Sequence, residues 1–99
     1  MTGELKRVLL VEDNEAIRMV ARMALELDGL ETIECGSGED ALRAAPGSGA
    51  QLMVLDVMMP GMNGLQTLEA LRAIPACAST PVVFLTARVM PQDVAEYKA

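Results

Sequence analysis

Three acids and one hydroxyl in this 99-residue chain each directly follow an apolar run: Glu12 and Asp13 after VLLV, Asp56 after LMVL, and Thr86 after VVFL. Each has a plain structural explanation when taken singly. Glu12-Asp13-Asn14 could simply open a helix, where acids offset the helix dipole by a few tenths to about 1 kcal/mol. Asp56 could be a loop aspartate ahead of a proline turn, and Thr86 a β-branched strand residue that then caps a helix. Gathered at one place, the same groups have a different chemistry. Two carboxylates about 4 Å apart repel by roughly 4 kcal/mol at an effective dielectric near 20, so they sit together only around a proton or a cation. An oxygen-only donor set selects a hard cation, Mg²⁺ by preference.

The composition narrows the chemistry further. The chain holds no histidine, which excludes Ser-His-Asp catalysis and histidine-ligated metals within it. A net charge of −6 and the lack of any Lys/Arg run argue against direct nucleic-acid binding. No apolar run approaches membrane-spanning length, and MTGELKR lacks a signal peptide's hydrophobic segment, so the expected setting is the cytoplasm. Cys35 and Cys77 lack CxxC spacing and read as idle, buried thiols. A hydrophobic content of 52% is enough for one cored domain in 99 residues, and the length leaves no room for a second.

The elements that must position the acids alternate strand and helix. VLLV (8–11), LMVL (52–55) and VVFL (82–85) are short continuous apolar runs, the pattern of parallel strands buried on both faces. Residues 30–35 form a more polar strand suited to a sheet edge. A helix is expected over 14–27, capped by Asp13 or Asn14 and ended by Asp28-Gly29, with Ile17, Val20, Ala24 and Leu27 on one face and Arg18, Arg22 and Glu26 toward water. Further helices follow over 39–45, stopped by Pro46, and after VMMPGMNG, carrying Leu65, Leu68, Leu71 and Ile74. Pro91 suits the first position of a last helix with Val94 and Tyr97. Met53, Met19 and Met23 are expected to fill core, while Met58, Met59 and Met62 flank the site. Such alternation implies a parallel sheet with helices on both faces and right-handed crossovers, whose ligands bind beyond the carboxyl ends of the strands. All four site residues stand at those ends.

The runs VLLVEDN, LMVLDVMMPGMNG and PVVFLTA resemble, in order and spacing, the three signature segments of receiver domains of two-component response regulators, over essentially the whole chain. The resemblance implies a flavodoxin-like sheet of order 2-1-3-4, with the family's fifth strand and last helix absent and the domain (1–99) cut after its fourth helix. It implies Asp56 as phosphoacceptor, and Asp13, Asp56 and the backbone carbonyl of Met58 as Mg²⁺ ligands, with Glu12 assisting through water and Mn²⁺ able to substitute. Thr86 would be the switch hydroxyl, Met58 and Arg88 would sit at the site rim, and Pro60, Gly61 and Gly64 would shape the loop. The phosphoryl donor would be a histidine kinase or histidine phosphotransfer protein, making this a phosphoacceptor and not a turnover enzyme, with at most slow self-phosphorylation and self-dephosphorylation.

The family's lysine after the fifth strand has no counterpart, since Lys98 lies in the helix that follows Thr86. One alternative is therefore a receiver-like interaction or dimerisation module that no longer switches. An apolar edge left at 82–85 would invite a homodimer or a swapped assembly. A phosphohydrolase of the haloacid-dehalogenase type would want a second acid two residues after Asp56, where Met58 stands.

Overall fold

The computed structural model describes residues 5–85. Four parallel strands, β1 (Arg7–Val11), β2 (Glu31–Cys35), β3 (Leu52–Asp56) and β4 (Val82–Leu85), form one sheet of order β2-β1-β3-β4. This is the flavodoxin-like order the sequence implies. Three helices connect them: α1 (Glu15–Leu27), α2 (Gly38–Ala44) and α3 (Gly64–Arg72).

Alternation along the strands divides the core in two, because successive side chains leave opposite faces of a sheet. Leu9, Val11, Met53 and Leu55 point to one face, with Ala41 and Leu71 from α2 and α3 packed into the same cluster. Val8, Leu10 and Val54 point to the other, covered by Ala21 and Leu25 of α1. Both faces of β1 and β3 are thus filled, which is why their sequences are uninterrupted apolar runs. Strand β2, at the edge, is the more polar one expected.

Several expectations are corrected. On α1, Val20 is 64% and Leu27 87% exposed, and no residue of the helix is buried. Ile17, expected inward, is half-buried, and Ala21 and Leu25 pack on the sheet in place of the expected Val20, Ala24 and Leu27, which are exposed. Met19 and Met23 are exposed instead of filling core. Arg18 and Arg22, expected to face water, lean over β2 and pair with Glu34. In α3, Leu71 is buried and Leu68 and Ile74 pack against the core as expected, Gly64 and Thr67 are buried as well, and only Leu65 is exposed; Ile74 lies past the helix end. Helix α2 starts at Gly38, capped by Ser37, and Pro46 lies in a 3₁₀ turn (Ala45–Gly47) instead of simply ending it. Strand β4 is only half-buried, with Val83 exposed.

Both cysteines are buried free thiols. Burial pushes the Cys35 thiol up to about 11, with Asp40 adding to the rise and Arg18 opposing it. Cys77 is raised by burial as well, against the pull of Arg72. Near neutral pH both remain protonated and unreactive.

Candidate functional site

The register of the sheet builds the site. Val11 of β1 pairs with Leu55 of β3, so the next residues, Glu12 and Asp56, emerge side by side at the carboxyl ends of adjacent strands. Asp13 follows in the turn to α1. One carboxylate oxygen from each of Glu12, Asp13 and Asp56 lies within 4.8 Å of the others. Glu12 is 1% and Asp56 3% exposed, while Asp13 is half-buried.

The loop from β1 to α1 is fixed at each residue. Glu12 donates its N–H to the Cys35 carbonyl at 3.0 Å. The Asn14 N–H donates to Glu12 Oε2 at 2.9 Å, and Asn14 Oδ1 caps α1 by accepting from the Ile17 N–H at 2.9 Å. Of the two expected caps, Asn14 performs the task, and Asp13 is left to the acidic cluster. Burial pushes the Glu12 carboxyl up to about 7; the Asn14 N–H pulls it down, and the neighbouring Asp13 and Asp56 push it further up. Three carboxyls held this closely keep a proton among them unless a cation takes its place.

Asp56 is held from the far side by the loop that follows it. The Met58 N–H donates to Asp56 Oδ1 at 3.1 Å, whereas the buried Oδ2 has no hydrogen-bond partner among the described residues. A buried carboxylate oxygen without a donor costs about 1–3 kcal/mol or more, so the cradle suits an added positive group. The all-oxygen donor set and this orphaned atom fit a hard cation.

The loop returns to the sheet through Gly64, whose N–H donates to the Val57 carbonyl at 3.1 Å. A Cβ on Gly64 would lie 2.3 Å from the Asp56 carbonyl oxygen and 2.8 Å from Val57 Cα, so only glycine fits. Gly61 serves differently, through a φ of 71° in the left-handed region. Pro60 is exposed, and Met58 is 60% exposed. Asn63 and Gln66 form a reciprocal cap that starts α3 and closes the loop. That pair was missed in the sequence, although Asn-x-x-Gln ahead of an apolar helix is its signal. Thr86 and Arg88 lie outside the described residues, as do Pro91, Val94, Tyr97 and Lys98. Among the described residues, no acid takes the place of Met58 that a haloacid-dehalogenase reading needs.

Residues 8–99 match the family model for the response regulator receiver domain. The chain belongs to that family. It is 42% identical over 81 residues to the uncharacterized transcriptional regulatory protein YkoG of Bacillus subtilis, covering 82% of this chain and 35% of that protein. The chain thus spans about a third of the length of YkoG and of the similarly matched regulator CpxR of Escherichia coli, and about a tenth of the sensor protein GacS of Pseudomonas syringae. The N-terminal domain of a response regulator receiver protein from Methanoculleus marisnigri JR1 superposes with a TM-score of 0.79 at 36% identity, covering 96% of this chain and 78% of that one. The receiver domain of sensor histidine kinase PA1611 from Pseudomonas aeruginosa PAO1 superposes with a TM-score of 0.79 at 25% identity, covering 93% of this chain and 75% of that one; its structure has a magnesium ion coordinated in the active-site cleft. This receiver domain is a signalling domain with an acidic cluster at the carboxyl ends of β1 and β3. Among its described residues no helix is long and apolar enough to cross a membrane.

Proposed function

We propose that this receiver domain accepts a phosphoryl group on Asp56 from a phosphohistidine of a histidine kinase or histidine phosphotransfer protein, in a Mg²⁺-dependent reaction in the cytoplasm. The observation that carries the reading is the cluster of three carboxyls at the strand ends, in which the buried Asp56 Oδ2 has no hydrogen-bond partner among the described residues.

Asp13, Asp56 and the Met58 backbone carbonyl would hold the cation directly, with Glu12 acting through water. Bound there, Mg²⁺ or Mn²⁺ would offset the negative charge of the transferring oxygens. The chain's own residues supply position. The Met58 N–H fixes one Asp56 oxygen and so orients the carboxylate. An Asp56 oxygen forms the new O–P bond while the P–N bond breaks, and the electron pair leaves with the donor imidazole. With no histidine of its own, the chain receives and does not donate. Thr86 would bond a phosphoryl oxygen as the switch hydroxyl, and Met58 and Arg88 at the rim would set how readily water reaches the product. A homodimer through the β4 edge belongs to the same proposal, supported by the exposed Val83 on the outermost described strand.

Intact-mass spectrometry after incubation with acetyl phosphate, with and without Mg²⁺, tests the reading. One phosphoryl adduct is expected, dependent on Mg²⁺ and lost in Asp56→Asn. A folded sample that takes no adduct would favour a non-switching interaction module.

A further inference from the structure

A side chain outside the acidic cluster braces the loop that carries it. Arg18, in the first turns of α1, donates Nη1 to the Glu12 carbonyl oxygen at 2.8 Å, while its backbone N–H donates to the Asn14 carbonyl at 2.9 Å. The two bonds grip the backbone on either side of Asp13. The guanidinium is itself held: Nε donates to Glu34 Oε1 at 3.3 Å, and Glu34 Oε2 lies 3.2 Å from Arg22 Nε. Arg22 completes the row by pairing with Glu26 at 3.0 Å. The Arg18 side chain is only 19% exposed, against 31% for Arg22.

We propose that Arg18 is a positioning residue for cation uptake. It locks the backbone between Glu12 and Asn14, and with it the directions of the Glu12 and Asp13 carboxylates, while Glu34 on β2 anchors the guanidinium against the Glu12 carbonyl. The inference rests on the cation-site reading above.

Two effects of opposite sign compete at this residue. Its positive charge opposes cation binding, so losing the charge alone would tighten the site. Its hydrogen bond preorganises the loop, so losing that bond would weaken the site. Glu34 offsets much of the charge, and solvent screens the remainder. The bond to a part-buried backbone carbonyl has no such substitute. The geometric effect therefore dominates, as it does for groups that orient metal ligands without touching the metal.

Mn²⁺ titrations of the whole chain, read from the free ion's electron paramagnetic resonance signal, decide the matter. Thermal melts in EDTA run alongside verify folding. Arg18→Met is expected to bind Mn²⁺ about tenfold more weakly than wild type. Arg22→Met removes a like charge and a Glu34 contact from the same helix without touching the Glu12 loop, and is expected to stay within about twofold, the range for a surface pair. Arg18→Lys keeps the charge but cannot hold the Glu12 carbonyl and Glu34 in one plane, and should lose about threefold, the value of one hydrogen bond. It serves as the readout if Arg18→Met fails to fold. Affinity in a folded Arg18 variant equal to or tighter than wild type overturns the inference, as does an equal loss in Arg22→Met. A wild-type chain that binds no Mn²⁺ overturns the cation site itself, so the two failures are distinguishable.

Discussion

Asp56 is positioned by contacts that reach only a few ångströms, and Gly64 is the tightest of them. Its missing side chain lets α3 start directly against the Asp56 carbonyl and Val57 Cα, backbone atoms that cannot step aside without shifting the acid. Gly64→Ala is therefore expected to destabilise the fold by about 1–3 kcal/mol, as overpacking does, and to lower the phosphoryl uptake of Asp56. Gly61→Ala has open space around its Cβ but a φ of 71°, and should cost about 1–2 kcal/mol through conformation alone, leaving the acid in place. Urea unfolding together with the acetyl-phosphate adduct separates the two cases. Both glycines were legible as loop-shaping from the motif around Asp56. That one acts by close approach and the other by dihedral angle was not, because only tertiary contact distinguishes them. Arg18 was illegible for a related reason: its hydrogen bond returns to a backbone carbonyl, which leaves no trace in side-chain patterning.

Helix α1 shows how periodicity can point one residue off the mark. Its sequence carries two overlapping apolar stripes, Ile17-Ala21-Leu25 and Val20-Ala24-Leu27, both compatible with a helical repeat. The sheet takes the first, since Ala21 and Leu25 fit against Val8, Leu10 and Val54. The second stays exposed. Stability should follow burial and not hydrophobicity. Leu71→Ala, at a position with 0% exposure inside the larger core cluster, is expected to cost about 2–5 kcal/mol through lost transfer energy and a cavity. Leu27→Ala, at 87% exposure, is expected to change stability by less than about 0.5 kcal/mol. Denaturant midpoints for the two variants check this, and similar losses would contradict the packing described. Strands β1 and β3 were more legible than the helices, because a run of four apolar residues at a central strand fills both faces of the sheet; β4 carries the same kind of run yet is only half-buried.

At the scale of the molecule, β4 is the outermost described strand and its Val83 is exposed; under the dimer proposal this strand pairs with that of a second copy. Sedimentation velocity over rising concentration is expected to move from monomer toward dimer, and Val83→Lys, a charge placed on that edge strand, to hold the chain monomeric. A wild-type chain that stays monomeric throughout would remove the dimer from the proposal. The sequence by itself determined the strand-helix alternation, the acids at the strand ends and the all-oxygen donor set, because apolar runs and residue types are local properties that survive without coordinates. Tertiary structure alone decided that Val11 pairs with Leu55, which sets Glu12 beside Asp56, and which stripe of α1 is buried. Register and helix facing are choices among locally equivalent patterns, and only packing between distant segments breaks the tie.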